Sequence, residues 1–132
     1  MNMFKQIQYV CIFLTLILSS TCQASDYILF VSFSMPEKLM VQTLKDASVH
    51  KIPVLLNGLI DGSMPKTIKK IMFYTQKVPD LAMQIDPESF QKYQIKKVPA
   101  LVSDNGQVFD VIYGNNSLST LIDEIQRKGE SA

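Results

Sequence analysis

The sequence predicts an α/β domain, a three-layer sandwich in the order βαβ-α-ββα, and three observations carry that expectation. Short, uniformly apolar runs recur at residues 28–31, 53–56 and 98–102, and such runs suit strands buried on both faces of a sheet. Between them lie segments whose apolar residues repeat at helical spacing. Asp104-Asn105-Gly106 then supplies a hairpin turn before the last strand, because Asn-Gly accepts the positive φ that tight turns demand.

Ile28-Leu29-Phe30-Val31 is the first strand. Ser34 stands where a helix N-cap is expected, Glu37 three residues on would complete a capping box, and Pro36 is tolerated in a first turn. Leu39, Met40, Thr43, Leu44 and Ala47 follow at helical spacing, and His50, the only histidine, is placed to meet that helix's last carbonyls. Residues 53–56 form a second strand, parallel to the first, ending in the Asn57-Gly58 turn. Asp61-Gly62 is a further turn. Ser63 with Pro65 opens a second helix, on which Met64, Ile68, Ile71 and Met72 share one apolar stripe and Lys66, Lys69 and Lys70 form the solvated face. Pro79 closes that region, and Met83 and Ile85 mark either a short strand or an extended lead-in. Asp86-Pro87 reads as an N-cap and a first-position proline opening a helix of about two turns through Tyr93. Residues 98–102 are the next strand, with Pro99 at its start, where a missing ladder donor does least harm, and residues 108–113 return antiparallel. Ser117 caps a last helix with Leu118, Leu121, Ile122 and Ile125 at i, i+3, i+4 and i+7, and Gly129 ends it.

The N-terminus has a different character. Lys5 makes a basic start, Tyr9 to Leu18 is almost wholly apolar, and Cys22-Gln23-Ala24 offers small residues at a cleavage site, the pattern of a secretory signal peptide. The apolar run falls short of the roughly 20 residues that a bilayer span takes, and Ser19-Ser20-Thr21 lacks the residues a lipoprotein site at Cys22 would need. The expected organisation is a signal peptide over residues 1–24 and one domain over residues 25–132, hence a periplasmic location. Removing the first 24 of 132 residues leaves 108, enough for one modest core, and losing Lys5 brings 13 basic residues to 12 against 12 acidic. Neutrality argues against nucleic acid as a partner. The only two cysteines, Cys11 and Cys22, fall in the segment expected to be removed. Stability must then come from packing without disulfides. No Gly-rich loop followed by Lys-Ser or Lys-Thr is present for a nucleotide, no ligands are spaced for a metal, and no cofactor is expected.

Phe33-Ser34-Met35-Pro36-Glu37-Lys38 resembles the active-site turn of thioredoxin folds with serine and glutamate at the two thiol positions. The element order resembles the same fold, with the helical stretch after the second strand similar to its DsbC-like branch. Phe30-Val31-Ser32-Phe33-Ser34-Met35-Pro36, Ile52-Pro53, Gln84-Ile85-Asp86-Pro87 with Phe90, and Val98-Pro99-Ala100-Leu101-Val102 together resemble the TrbC family of F-type conjugative pilus assembly proteins. The match covers Tyr27 to about Tyr113 in four separated motifs. It implies a thioredoxin-like, redox-inactive periplasmic factor of a type IV secretion apparatus, working with other periplasmic conjugative transfer assembly proteins and meeting the membrane only through them. Two departures stand out. Asn57 precedes Gly58 where the family usually has arginine, and the charged helical extension of longer members has no counterpart before the domain.

The thiolate is the nucleophile in every exchange step, so a mature chain without cysteine cannot carry out thiol–disulfide exchange. Ser34 would keep the hydrogen bonding of a helix N-terminus but has no neighbouring base to activate it. Glu37 and Asp86 are caps before they are acids. No catalytic residue is therefore assigned. The resemblance places Pro99 at the cis-proline site facing the turn. Phe33, Ser34, Met35 and Pro36 with Val98 and Pro99 would then form a shallow apolar groove for an extended peptide, a reading that an exposed Phe33 or Met35 would favour. The competing reading is a chaperone or isomerase-like protein gripping pilin in the same thiol-free groove; a third is a plug whose groove is buried in a permanent complex.

Overall fold

A computed structural model of the chain describes residues 2–3 and 25–131. The expected signal peptide, with both cysteines, lies outside the described residues apart from those first two. Five strands form one sheet in the order β3-β2-β1-β4-β5: β1 (Asp26–Val31), β2 (Val54–Leu56), β3 (Met83–Ile85), β4 (Ala100–Asp104) and β5 (Phe109–Tyr113). The helices are α1 (Glu37–Val49), α2 (Met64–Lys77), α3 (Pro87–Lys92) and α4 (Leu118–Lys128), with a 3-10 turn at Ile60–Gly62 leading into α2. Among the described residues, no helix is long and apolar enough to cross a membrane.

The apolar runs account for the centre of the sheet. β1 is parallel to β2 and antiparallel to β4, and the hairpin β4-β5 continues antiparallel. Met83 to Ile85 is a true strand, parallel to β2 at the edge. Period-2 alternation sends Leu29, Val31, Val54, Leu56 and Leu101 to one face, where Met40, Leu44 and Ala47 of α1, Tyr74 of α2 and Leu118, Leu121 and Ile125 of α4 cover them. Phe30, Leu55, Ala100 and Val102 face the other way, against Phe90 and Tyr93. The Phe30 ring meets those of Phe90 at 4.8 Å and Tyr93 at 5.9 Å, both edge-on. The sandwich therefore has three layers.

Three caps stand as the sequence suggests. Ser63 Oγ accepts from the Lys66 amide, Asp86 Oδ1 from Ser89 and Ser117 Oγ from Thr120. The Asp86 carboxyl is held below its ordinary pKa, first by the Ser89 hydroxyl and then by the Ser89 amide. His50 Nδ1 lies 2.8 Å from the Asp46 carbonyl at the end of α1. The β4-β5 loop turns through Gly106 at φ 88°, with Asn105 Oδ1 accepting from the amides of Gln107 and Val108.

Two expectations are corrected. Ser34 does not cap α1: the N-cap is Pro36, at φ −54° and ψ 138°, whose carbonyl accepts from Met40. A residue before proline is pushed out of the helical region, so Met35 cannot be helical and the helix starts at Glu37. Glu37 is thus a first-turn residue rather than a capping-box partner, and it receives a 2.9 Å bond from Lys77 Nζ that holds its carboxyl below the ordinary range. The second correction is the orientation of α2. Its buried residues are Thr67 and Tyr74, whereas Met64, Ile68 and Met72 of the expected core stripe are exposed and Ile71 is partly buried. Thr67 tolerates burial because its hydroxyl donates to the Ser63 carbonyl and accepts from the Ile60 amide.

Candidate functional site

The segment between β1 and α1 is a short turn closed by the Met35 amide donating to the Ser32 carbonyl at 3.1 Å. Ser32 Oγ and Ser34 Oγ lie 2.9 Å apart, and Ser32 Oγ also accepts from the Ser34 amide. One of the two hydroxyls therefore donates to the other. Among the described residues neither hydroxyl is hydrogen-bonded to a base, and the single histidine is engaged with Asp46 at the far end of α1. Ser34 is exposed, and so is Pro36.

Met35 does not wall a groove. It is 8% exposed and belongs to the core; an apolar side chain displaced from the helix by the following proline turns inward instead. Phe33 is partly buried and lies parallel to Tyr74, with ring centroids 5.9 Å apart. Lys70 and Lys77 stand over the Phe73 ring at 5.3 and 4.1 Å, and Lys70 also over Tyr74 at 5.5 Å. Desolvation pushes the Tyr74 phenol above its ordinary pKa. The Phe33–Tyr74 stack fastens the turn to α2, and the Lys77–Glu37 pair fastens the start of α1 to the same helix. The sequence gives no local signal for this, because Phe33 and Tyr74 are 41 positions apart.

The other half of the expected site comes from the loop before β4. The Val98-Pro99 peptide bond is cis. Phe30 pairs with Ala100 in the antiparallel register, so residues 32–36 and 98–99 emerge at the same end of the sheet. Val98 is partly buried and packs on the core that includes Met35 and Phe33. Pro99 is buried, and its carbonyl accepts from the Gly114 amide.

The six expected residues gather at one end of the molecule but do not share one hollow. Ser32, Phe33 and Ser34 line a hollow of about 340 Å³ with Leu56 to Asp61. Pro99 lines a second, of about 350 Å³, floored by Leu29 and Leu101 and walled by α1 and residues 114–118. In that second hollow the Asp46 carboxylate accepts from the Leu118 amide, tying α1 to the start of α4. Residues 57–61 and 114–118 are thus additions that the motif spacing did not reveal. Of them the sequence singled out the Asn57-Gly58 and Asp61-Gly62 turns and the helix start at Ser117 and Leu118, none as part of a site; Gly58 takes φ 136°, a backbone region that suits glycine. No group of three or more metal-ligating side chains occurs among the described residues.

Residues 29–125 match the type-F conjugative transfer system pilin assembly protein family. The chain belongs to this family. Among its relatives, periplasmic protein TrbC of Escherichia coli (strain K12) is 31% identical over 101 residues, covering 76% of this chain and 48% of the relative. The chain thus spans about half the length of that family member, whose name agrees with the periplasmic location expected from the sequence. The solved structures of MTB DsbF, in its mixed oxidized and reduced forms, and of a Chlorobium tepidum protein assigned as thiol:disulfide interchange protein DsbE share the architecture. The first aligns with a TM-score of 0.54 at 15% identity over 80% of this chain and 81% of that one; the second with 0.52 at 17% over 83% of each. The fold is thioredoxin-like, and at these identities the likeness speaks for the fold alone.

Proposed function

We propose that this family member, exported by a signal peptide over residues 1–24, acts in the periplasm as an assembly factor of the conjugative pilus through protein contacts, without redox chemistry. The observation that supports this reading most is the turn at the start of α1. Where exchange would need a thiolate, Ser34 offers a hydroxyl already paired with Ser32, and residues 25–132 contain no cysteine. What remains is shape: an exposed turn and a cis proline at one end of the sheet, bordered by two hollows. Partners would be other transfer proteins, with the membrane reached only through them. A formal charge of +1 over the whole chain offers nothing for nucleic acid.

The test uses two variants of the surface. Ser34→Trp fills the hollow beside residues 57–61 from an exposed position, and Val98→Asp places a charge beside the cis proline. Both are expected to abolish pilus formation in donor cells while the purified domains keep the wild-type far-UV circular dichroism. Wild-type piliation in both would overturn the contact surface.

A further inference from the structure

We infer that the outward ridge of α2, made by Met64, Ile68 and Met72, docks an acidic amphipathic helix of a partner protein. This rests on the reading that the chain works through contacts, and it names a surface separate from the turn and the cis proline. The three side chains are 48%, 47% and 54% exposed and stand at i, i+4 and i+8. They form one ridge about 12 Å long at 1.5 Å per residue. The core does not need them, because Thr67 and Tyr74 supply the buried face of this helix. An apolar ridge of this kind, left bare while a threonine is buried, marks a surface with a partner.

Charge states what the partner carries. α2 holds Lys66, Lys69, Lys70 and Lys77 and no acidic residue. Lys66 pairs with Asp61 and Lys77 with Glu37, and Lys70, about 200° around the helix from Ile68, stands over the Phe73 and Tyr74 rings, whereas Lys69 has no carboxylate within ion-pair distance among the described residues. Lys69 stands three residues before Met72 of the ridge, a spacing that makes the two neighbours on the helix surface. A partner that buries the ridge meets uncompensated positive charge and matches it with Asp or Glu.

Shape favours a helix over a lipid surface. An i±4 ridge one side chain wide fits the groove between rows of a second helix, and the methionines at both ends adapt to its contour. Lipid binding calls for a broad apolar face with its large aromatic residues inserted. Here the aromatic residue, Phe73, is about 100° around the helix from Met72 and lies beneath the amines of Lys70 and Lys77.

The experiment replaces Ile68 with photo-reactive p-benzoylphenylalanine in the full chain, expressed in donor cells that form pili, and sequences the cross-linked segment. The expected product is a protein segment with apolar residues at i, i+4 spacing flanked by Asp or Glu. Its yield should fall about fivefold in a Lys69→Glu background, as one exposed charge pair of up to ~1 kcal/mol would give. Cross-links to lipid, to a basic or neutral segment, or to a second copy of this chain would overturn the proposal, as would absence of any product or a yield indifferent to the reversal at Lys69. If the ridge fails while Ser34→Trp and Val98→Asp still abolish piliation, only the ridge falls; if those two variants are silent as well, the contact reading falls with it.

Discussion

The ring of Phe33 lies nearly coplanar in orientation with that of Tyr74, inclined by 7° at a centroid distance of 5.9 Å. It joins the turn after β1 to a helix that begins 31 residues later in the chain. Tyr74 is 2% exposed and so acts as the pivot between the core and the candidate site. Tyr74→Ala should destabilise the domain by about 3–5 kcal/mol, the range for deleting a large buried aromatic. Tyr74→Phe keeps the stack and should cost less than ~1 kcal/mol, within the range of volume-conserving exchanges. Urea unfolding followed by circular dichroism measures both.

Helix caps offer a direct check on where α1 begins. Ser34 makes no cap bond, so Ser34→Ala should change stability by no more than ~0.5 kcal/mol, as at an ordinary surface site. Ser63 and Ser117 do cap their helices, and alanine at either should cost about 1 kcal/mol. Equal costs at all three positions would contradict the start of α1 at Glu37.

Much of the architecture was legible because it rests on local signals. The strands follow from uninterrupted apolar runs, and the caps at Ser63, Asp86 and Ser117 from short polar residues directly ahead of helices. The cis proline followed from family resemblance rather than from any local preference. At Ser34 the capping-box spacing to Glu37 is present, yet Pro36 delays the helix by imposing extended geometry on Met35. The stripe on α2 misled for a different reason. Helical periodicity identifies an apolar face but not its rotation about the axis, and the burial of Thr67 depends on two backbone partners that spacing does not disclose. The division of the site into two hollows depends on residues 57–61 and 114–118, whose approach is a matter of tertiary packing.

The end of the chain is held by a buried hydroxyl pair. Ser131 Oγ donates to Ser103 Oγ at 2.8 Å, both residues being almost fully buried, while the Ser131 amide donates to Asp110 Oδ2 at 2.7 Å. Ser131→Ala leaves the Ser103 hydroxyl without this partner and should cost about 1–3 kcal/mol, the penalty for an unsatisfied buried group. Adding Ser103→Ala should recover part of that loss. A double-mutant cycle by thermal unfolding reads the coupling, and strict additivity would mean that the pair contributes nothing jointly.

Asp104 should contribute to acid sensitivity, alongside Glu37 and Asp86. Its carboxylate receives a 2.6 Å bond from Tyr93 and another from the Gly106 amide, and these, the Tyr93 bond first, hold it below its ordinary pKa of 3.8. A carboxyl depressed in the folded state stabilises fully above its unfolded pKa and loses that contribution as pH falls through the lower folded value. The domain should therefore lose stability below pH 3.8, and Asp104→Asn should flatten that part of the profile while lowering stability at neutral pH. Thermal unfolding between pH 2 and 7, at the order of spacing that resolves one titration, tests the sign; a variant with an unchanged acid limb would contradict it.

Pilus assembly by this protein should proceed by contact, with no thiol taking part. The most direct measurement is complementation of a donor strain lacking this protein by a cysteine-free chain, Cys11→Ala with Cys22→Ala, with pilus number and transfer frequency scored alongside export and abundance of the protein. Piliation and transfer at the wild-type level are the expected result. Loss of both, with the variant exported and present at normal abundance, would contradict the account.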